Sequence, residues 1–187
     1  MHLFGVKPYK RKARWRKRRD ERRAPAPYLN QIKDLCLQAP NHVWVSDFTY
    51  LKFKKQYVYL ATVMDLFTRE IVGWHLNLRH TQELTVTALK DALATRQLKK
   101  PEFIHSDQGS EYLAKEYLRF ANEWQIQISM SQKASPWENA YQESFYNNFK
   151  TDLGLEFDRY NTTGEFIEAV HQTQPAKDSY QLENHTK

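Results

Sequence analysis

Strand-favouring residues gather in three successive runs, near 43–52, 56–65 and 69–77. Each is rich in Val, Thr, Tyr, Phe and Trp, types that suit a pleated, half-buried surface, so each predicts a β-strand. LKFKKQYVYL links the first two and carries Lys54 and Lys55 in a hairpin turn. The period then lengthens. Thr81 stands at a cap position, Glu83 in a first turn, and Leu89 and Leu93 repeat four residues apart, which predicts an amphipathic helix. Lys100-Pro101 ends it. PEFIHSD (101–107) reads as a short strand, and Asp107-Gln108-Gly109-Ser110 as a turn with Ser110 capping the next helix. Leu113, Tyr117, Phe120 and Trp124 form that helix's apolar stripe. IQISM (126–130) alternates again and predicts a strand.

SPWE (135–138) opens a further helix. Ser135 is its N-cap, Pro136 takes the first helical position, and Glu138 completes a capping box. Asn139, Glu143, Asn147 and Lys150 fall on one polar face, while Tyr141, Phe145 and Phe149 fall on a face that can pack on a sheet. A last helix near 163–171 has Phe166, Ile167 and Val170 as its apolar side. Three strands, then helices alternating with strands, is a mixed α/β order. It allows three antiparallel strands joined to parallel ones through helical crossovers.

Composition adds two constraints. Hydrophobic residues make up 41% of the chain, enough for a core, and no apolar run is long enough to span a bilayer. Cys36 is the single cysteine, which excludes an intrachain disulfide and a multi-cysteine zinc site and fits a reducing cytosol. Charge adds a third. Residues 1–23 hold 11 Lys/Arg against 2 acids, whereas residues 24–187 hold 17 against 20. The net charge of +6 therefore comes from a basic arm, YKRKARWRKRRDERR, which suits a polyanion better than a solvated helix. The APAP stretch at 24–27 ends the arm as an extended linker.

Three carboxylates stand out. Asp47 interrupts the strand VWVSDFTYL, where a lone charge is costly to desolvate without a partner. Asp107 ends the strand IHSD before a glycine turn. Glu143 lies on the polar face of the capped helix. Each has an ordinary reading: a strand-edge residue or lysine partner, a turn former, a solvated helix residue. His105 reads as a hydrogen-bonded neighbour of Asp107 rather than a metal ligand. Together the three acids match what hard divalent cations need, a few carboxylates with places left for water and phosphate. A basic surface nearby would hold a phosphodiester substrate.

The segments NHVWVSDFTYL, YLATVMDLFTREIVGWHL, FIHSDQGSEY and SMSQKASPWENAYQESFYNNFKTDL carry a family resemblance. Between Asp107 and Glu143 lie 35 residues, as in the D-D-35-E pattern. The chain resembles the catalytic core of the DDE transposases of bacterial insertion sequences, of the second-reading-frame type, which are related to retroviral integrases. The resemblance covers roughly residues 41–171. It implies an RNase H-like fold with a mixed five-stranded sheet flanked by helices. It also implies a catalytic, metal-binding triad of Asp47, Asp107 and Glu143, and Mg²⁺ or Mn²⁺ as cofactor. The implied activity is cleavage at transposon ends to expose a 3′-hydroxyl that joins to target DNA, without a covalent enzyme intermediate. Lys150 matches a family lysine that contacts DNA, and Asn139 and Lys133 are further DNA-contact candidates. So are Arg11, Lys12, Arg14, Arg16, Lys17, Arg18 and Arg19 of the arm. Trp44 and Trp137 read as packing residues, although Trp137 could stack on a base.

The expected partners are transposon ends and target DNA, bound by a homo-oligomer, with no membrane association. The expected location is the bacterial cytoplasm, on the nucleoid when bound to DNA. Three departures from the family stand out: Ala134 where glycine is usual, Glu138 where aspartate is usual, and the tail HQTQPAKDSYQLENHTK. The expected organisation is a basic arm and linker over 1–40, resembling the end of a helix-turn-helix region. The catalytic core follows over 41–171, then an atypical, truncated or frame-shifted tail over 172–187. Two other functions fit the same residues: a transposase remnant that holds DNA without completing transposition, and a metal-dependent nuclease on the same fold. Asp47→Asn is expected to keep the fold and to stabilise the metal-free protein by removing like-charge repulsion.

Overall fold

The structure, a computed structural model, describes residues 27–131, 140–153 and 160–173; for Ala140, Tyr141 and Glu143 it describes the backbone alone. Five strands form one sheet in the order β3-β2-β1-β4-β5. The long hairpin β1 (Val43–Phe53) and β2 (Gln56–Asp65) is antiparallel, as is β3 (Ile71–Asn77) against β2. Helix α1 (Gln82–Thr95) crosses to β4 (Phe103–Ser106), which pairs parallel with β1. Helix α2 (Lys115–Glu123) crosses to β5 (Gln127–Met130), parallel with β4. Helices α3 (Ala140–Leu153) and α4 (Thr163–Gln172) follow. The expected antiparallel-then-parallel sheet is the observed one.

The two sheet faces bury separate clusters. Trp44, Val63, Val72 and Ile104 pack with Leu84, Leu89 and Leu93 of α1 and with Tyr117 and Ala121 of α2. On the opposite face Leu51, Phe53, Val58 and Leu60 meet Phe145, Phe149 and Leu153 of α3 and Phe166 and Val170 of α4. Burying side chains of this size contributes roughly 1.5–3 kcal/mol each. Gly73 lets α1 lie directly on β3: a Cβ there would come within 2.3 Å of the Ala92 nitrogen. Trp44 is fully buried, and its indole N–H donates to Asn41 Oδ1 at 3.2 Å, as a packing residue should.

Two expectations are corrected. Ser110 does not cap α2. The backbone N–H groups of Tyr112 and Leu113 turn back to the Gly109 carbonyl, at 3.1 and 3.2 Å. Tyr112 is fully buried and makes an edge contact with Tyr117, so the helix begins only after Ala114. Thr81 holds the cap position of α1, but its side chain makes no cap bond. The SPWE capping box, Trp137 and the 172–187 tail beyond Thr173 lie outside the described residues, as does the basic arm.

Candidate active site

β1 and β4 bring the two aspartates together. Their parallel register runs Val43↔Phe103, Trp44↔Ile104 and Val45↔His105. Continued by two residues, it sets Asp47 level with Asp107, where the strands part and side chains of both can face one space. The Phe48 N–H donates to Asp47 Oδ1 at 2.8 Å. The Gly109 N–H donates to Asp107 Oδ1 at 2.9 Å. A Cβ on Gly109 would stand 3.0 Å from that oxygen and 2.4 Å from Glu111 Oε1, so a side chain there would displace the Glu111 carboxylate.

Glu111 is the acid that sequence reasoning did not weigh. It is almost fully buried, accepts from the Ser110 hydroxyl at 3.1 Å and lies 3.7 Å from His80 Nε2. The Asp107 carboxyl is pushed above its usual range. Burial is the main cause, the Gly109 amide works against it, and the Glu111 charge adds to it. Negative charge is thus concentrated here, in surroundings that disfavour it. The signal for Glu111 was its place in DQGSEY, four residues beyond Asp107.

Helix α3 is tied to β1 by residues on either side of Glu143. Gln142 is fully buried. Its amide donates to the Val45 carbonyl at 2.8 Å, and its oxygen accepts from the Thr62 hydroxyl at 3.1 Å. The Tyr146 hydroxyl donates to the Asp47 carbonyl at 2.7 Å and lies 2.8 Å from the Thr62 hydroxyl. Burial, and next the Asp47 charge, push the Tyr146 phenol well up, so it stays protonated and remains a donor. Tyr112, which accepts from the Ser46 hydroxyl at 3.3 Å, is pushed up for the same two reasons. Phe145 and Phe149 are buried as expected, but the sheet-facing stripe also takes in Gln142, Tyr146 and Leu153. The helical period 142, 145, 146, 149, 153 was readable; a glutamine within it disguised the face.

The remaining site residues divide clearly. His105 is buried with Nδ1 2.9 Å from Ser129 Oγ, a hydrogen bond to β5 in place of the expected one to Asp107. Lys150 is half-buried, with Nζ 5.6 Å above the Tyr50 ring, and desolvation lowers its pKa. Asn139, Lys133, Arg11, Lys12, Arg14, Arg16, Lys17, Arg18 and Arg19 lie outside the described residues. Among the described residues no group of three His, Cys, Asp or Glu side chains is spaced to hold a metal ion. Asp47 and Asp107 supply hard oxygen donors, and a cation would offset the repulsion that Asp107 experiences. A third acid would have to join them, and α3 carries Glu143 between its two anchors.

Comparisons with known proteins bear on the family and the fold. The Integrase core domain family matches residues 38–136. The transposase for insertion sequence element IS904 of Lactococcus lactis is 34% identical over 157 residues, covering 82% of this chain and 60% of that protein. Transposase InsF for insertion sequence IS3A of Escherichia coli is 33% identical over 120 residues, covering 64% of this chain and 42% of that protein. The chain thus spans about half the length of such relatives. The HTLV-2 integrase catalytic core domain, solved in complex with magnesium in a trimeric form, has a TM-score of 0.59 at 24% identity. It covers 72% of this chain and 83% of that one, a likeness of fold that corresponds to the RNase H-like sheet expected. The chain belongs to the integrase core domain family, as a catalytic core of the DDE transposase type found in bacterial insertion sequences.

Proposed function

We propose that this chain cleaves and joins DNA strands at transposon ends, with Asp47, Asp107 and Glu143 holding Mg²⁺ or Mn²⁺. The observation that carries the reading is the pair of anchors around Glu143. Gln142 and Tyr146 bind the main chain of Val45 and Asp47, and so keep the third acid's helix beside the first acid. When bound, the divalent ion supplies Lewis-acid activation of the phosphodiester and of the attacking oxygen. The chain's own work is positional. The Phe48 and Gly109 amides orient the two aspartates, and neutral Tyr146 fixes the Asp47 backbone. Lys150 meets backbone phosphate beside the acids, with Asn139 and Lys133 as further contacts.

The family relationship supports a polynucleotidyl transferase over a remnant that only holds DNA or a nuclease on the same fold. The magnesium and the trimer of the HTLV-2 core support a metal-dependent homo-oligomer acting on DNA. Among the described residues no helix is long and apolar enough to cross a membrane. Action on the bacterial nucleoid in the cytoplasm is part of the same reading.

Joining of a pre-cleaved, labelled transposon end to target DNA in Mg²⁺ tests it. Wild type should join the strands, and Asp107→Asn should lose on the order of 10³-fold or more of the rate. Equal rates would overturn the reading. The arm is tested by salt titration of duplex binding with and without residues 1–23. The full chain should show the steeper loss of affinity with salt, because its arm displaces condensed counterions. An unchanged slope would remove the arm from the DNA interface.

A further inference from the structure

The face of β1 that turns away from α3 is aromatic beyond the footprint of α1. Phe48, Tyr50 and Lys52 share that face over ~13 Å of strand. Across the hairpin, Tyr50 pairs with Tyr59 and Lys52 with Tyr57, which puts both β2 tyrosines on the same side. Tyr50 and Tyr57 meet edge to face at 5.5 Å, yet they are 59% and 46% exposed. A lone exposed tyrosine needs no explanation, but a coupled pair in the open is a different matter.

Three further observations say what chemistry it suits. Residues 48–59 carry three lysines and no carboxylate; Lys54 turns to Phe53 and Asn161, which leaves Lys52 and Lys55 to favour a polyanion. Lys150 reaches from α3 round the edge of β1, where β4 no longer pairs, and caps the Tyr50 ring with a cation. His80 joins the surface to the carboxylates: its ring lies 4.5 Å from Phe48 and 5.3 Å from Tyr59, while Nε2 is 3.7 Å from Glu111. Aromatic faces interleaved with cations bind unpaired bases, because every base has a stacking face and every link a phosphate.

We propose that the Tyr50–Tyr57 face of the β1–β2 hairpin, flanked by Lys52 and Lys150, stacks unpaired bases of a DNA strand leaving the carboxylate site. The inference rests on the DNA-processing reading above and adds a preference for unpaired over paired DNA at this surface.

The test is fluorescence anisotropy of the full chain with labelled oligo(dT) and with a labelled blunt duplex. Tyr50→Ala, Tyr57→Ala and the double variant are compared with Tyr50→Phe/Tyr57→Phe, which keeps the rings. Each alanine variant should bind oligo(dT) roughly fivefold or more weakly, while the phenylalanine pair should match wild type. Duplex affinity should change by less than about twofold, since paired bases cannot stack there. The single variants carry the test if the double variant melts early. Oligo(dT) affinity unchanged in the alanine variants, or single-strand and duplex binding falling together, would overturn the stacking surface and leave the DNA reading standing. Wild type that binds neither probe would overturn both.

Discussion

Asp65 and Asp107 are carboxylates at the ends of β2 and β4, the two strands that flank β1, and the protein treats them in opposite ways. Asp65 is fully buried at the end of β2. Its Oδ2 accepts from the Asn41 N–H at 2.7 Å, its Oδ1 from the Phe67 and Thr68 N–H groups at 2.9 and 3.3 Å, and the Arg96 guanidinium stands 4.0 Å away. That charge is answered inside the protein, as a buried charge must be. Asp107 has the Gly109 amide, but its nearby charge is another carboxylate, Glu111, and Asp47 lies level with it across the strand pair. Backbone amides and an arginine answer the first aspartate, which holds the fold; the second is buried beside Glu111, and under the proposed reading a cation answers it.

Substitutions can break this contrast. The largest effect is expected at Asp47: Asp47→Asn should lower strand joining on the order of 10³-fold while circular dichroism stays unchanged. Loss of fold instead would make Asp47 a structural acceptor like Asp65. Asp65→Ala should do the reverse and cost about 3 kcal/mol, because three N–H donors lose a charged acceptor, although Arg96 keeps Glu70. In a chain of this size that lowers the melting temperature by roughly 6–12 °C. Unchanged stability would show that the corner needs no charge. Tyr146→Phe comes next, at about 1–2 kcal/mol, since it leaves the Asp47 carbonyl and the Thr62 hydroxyl short of a partner. Joining should fall with it, because α3 loses a tie to β1; full activity would mean that the Gln142 anchor suffices.

The smallest effect concerns Asp107 without metal. Its raised pKa means that the folded state binds a proton at a pH where the unfolded chain has released it. Metal-free stability should therefore rise as pH falls from neutral through the folded pKa, and level off below the unfolded value. Asp107→Asn should melt slightly higher than wild type near neutral pH and lose that dependence, since an amide oxygen can still accept from Gly109. A lower melting temperature would contradict the crowding argument.

How much of this the sequence revealed depends on the range of the interaction. Asp47, Asp107 and Glu143 stood out as candidates, Asp47 because it interrupts an apolar strand and the set through the family resemblance. The succession of strands and helices was legible because its periodicities change where its elements do. The role of Gln142 was not, because a buried glutamine makes sense only once the Val45 carbonyl and Thr62 lie beside it, 97 and 80 residues away in the chain. Asp65 carried no signal for the same reason: Asn41 and Arg96 reach it only in the folded protein. The late start of α2 was hidden because burial of Tyr112 prevails over the capping preference of Ser110.

The central proposal, that Asp47 and Asp107 hold a divalent ion, is tested most directly by thermal melting in Mg²⁺ or Mn²⁺. At an ion concentration near 100 times its Kd, wild type should gain about 2.7 kcal/mol, or roughly 5–10 °C in melting temperature. Asp47→Asn and Asp107→Asn should gain far less. Equal shifts in wild type and both variants would place the ion elsewhere and contradict the account.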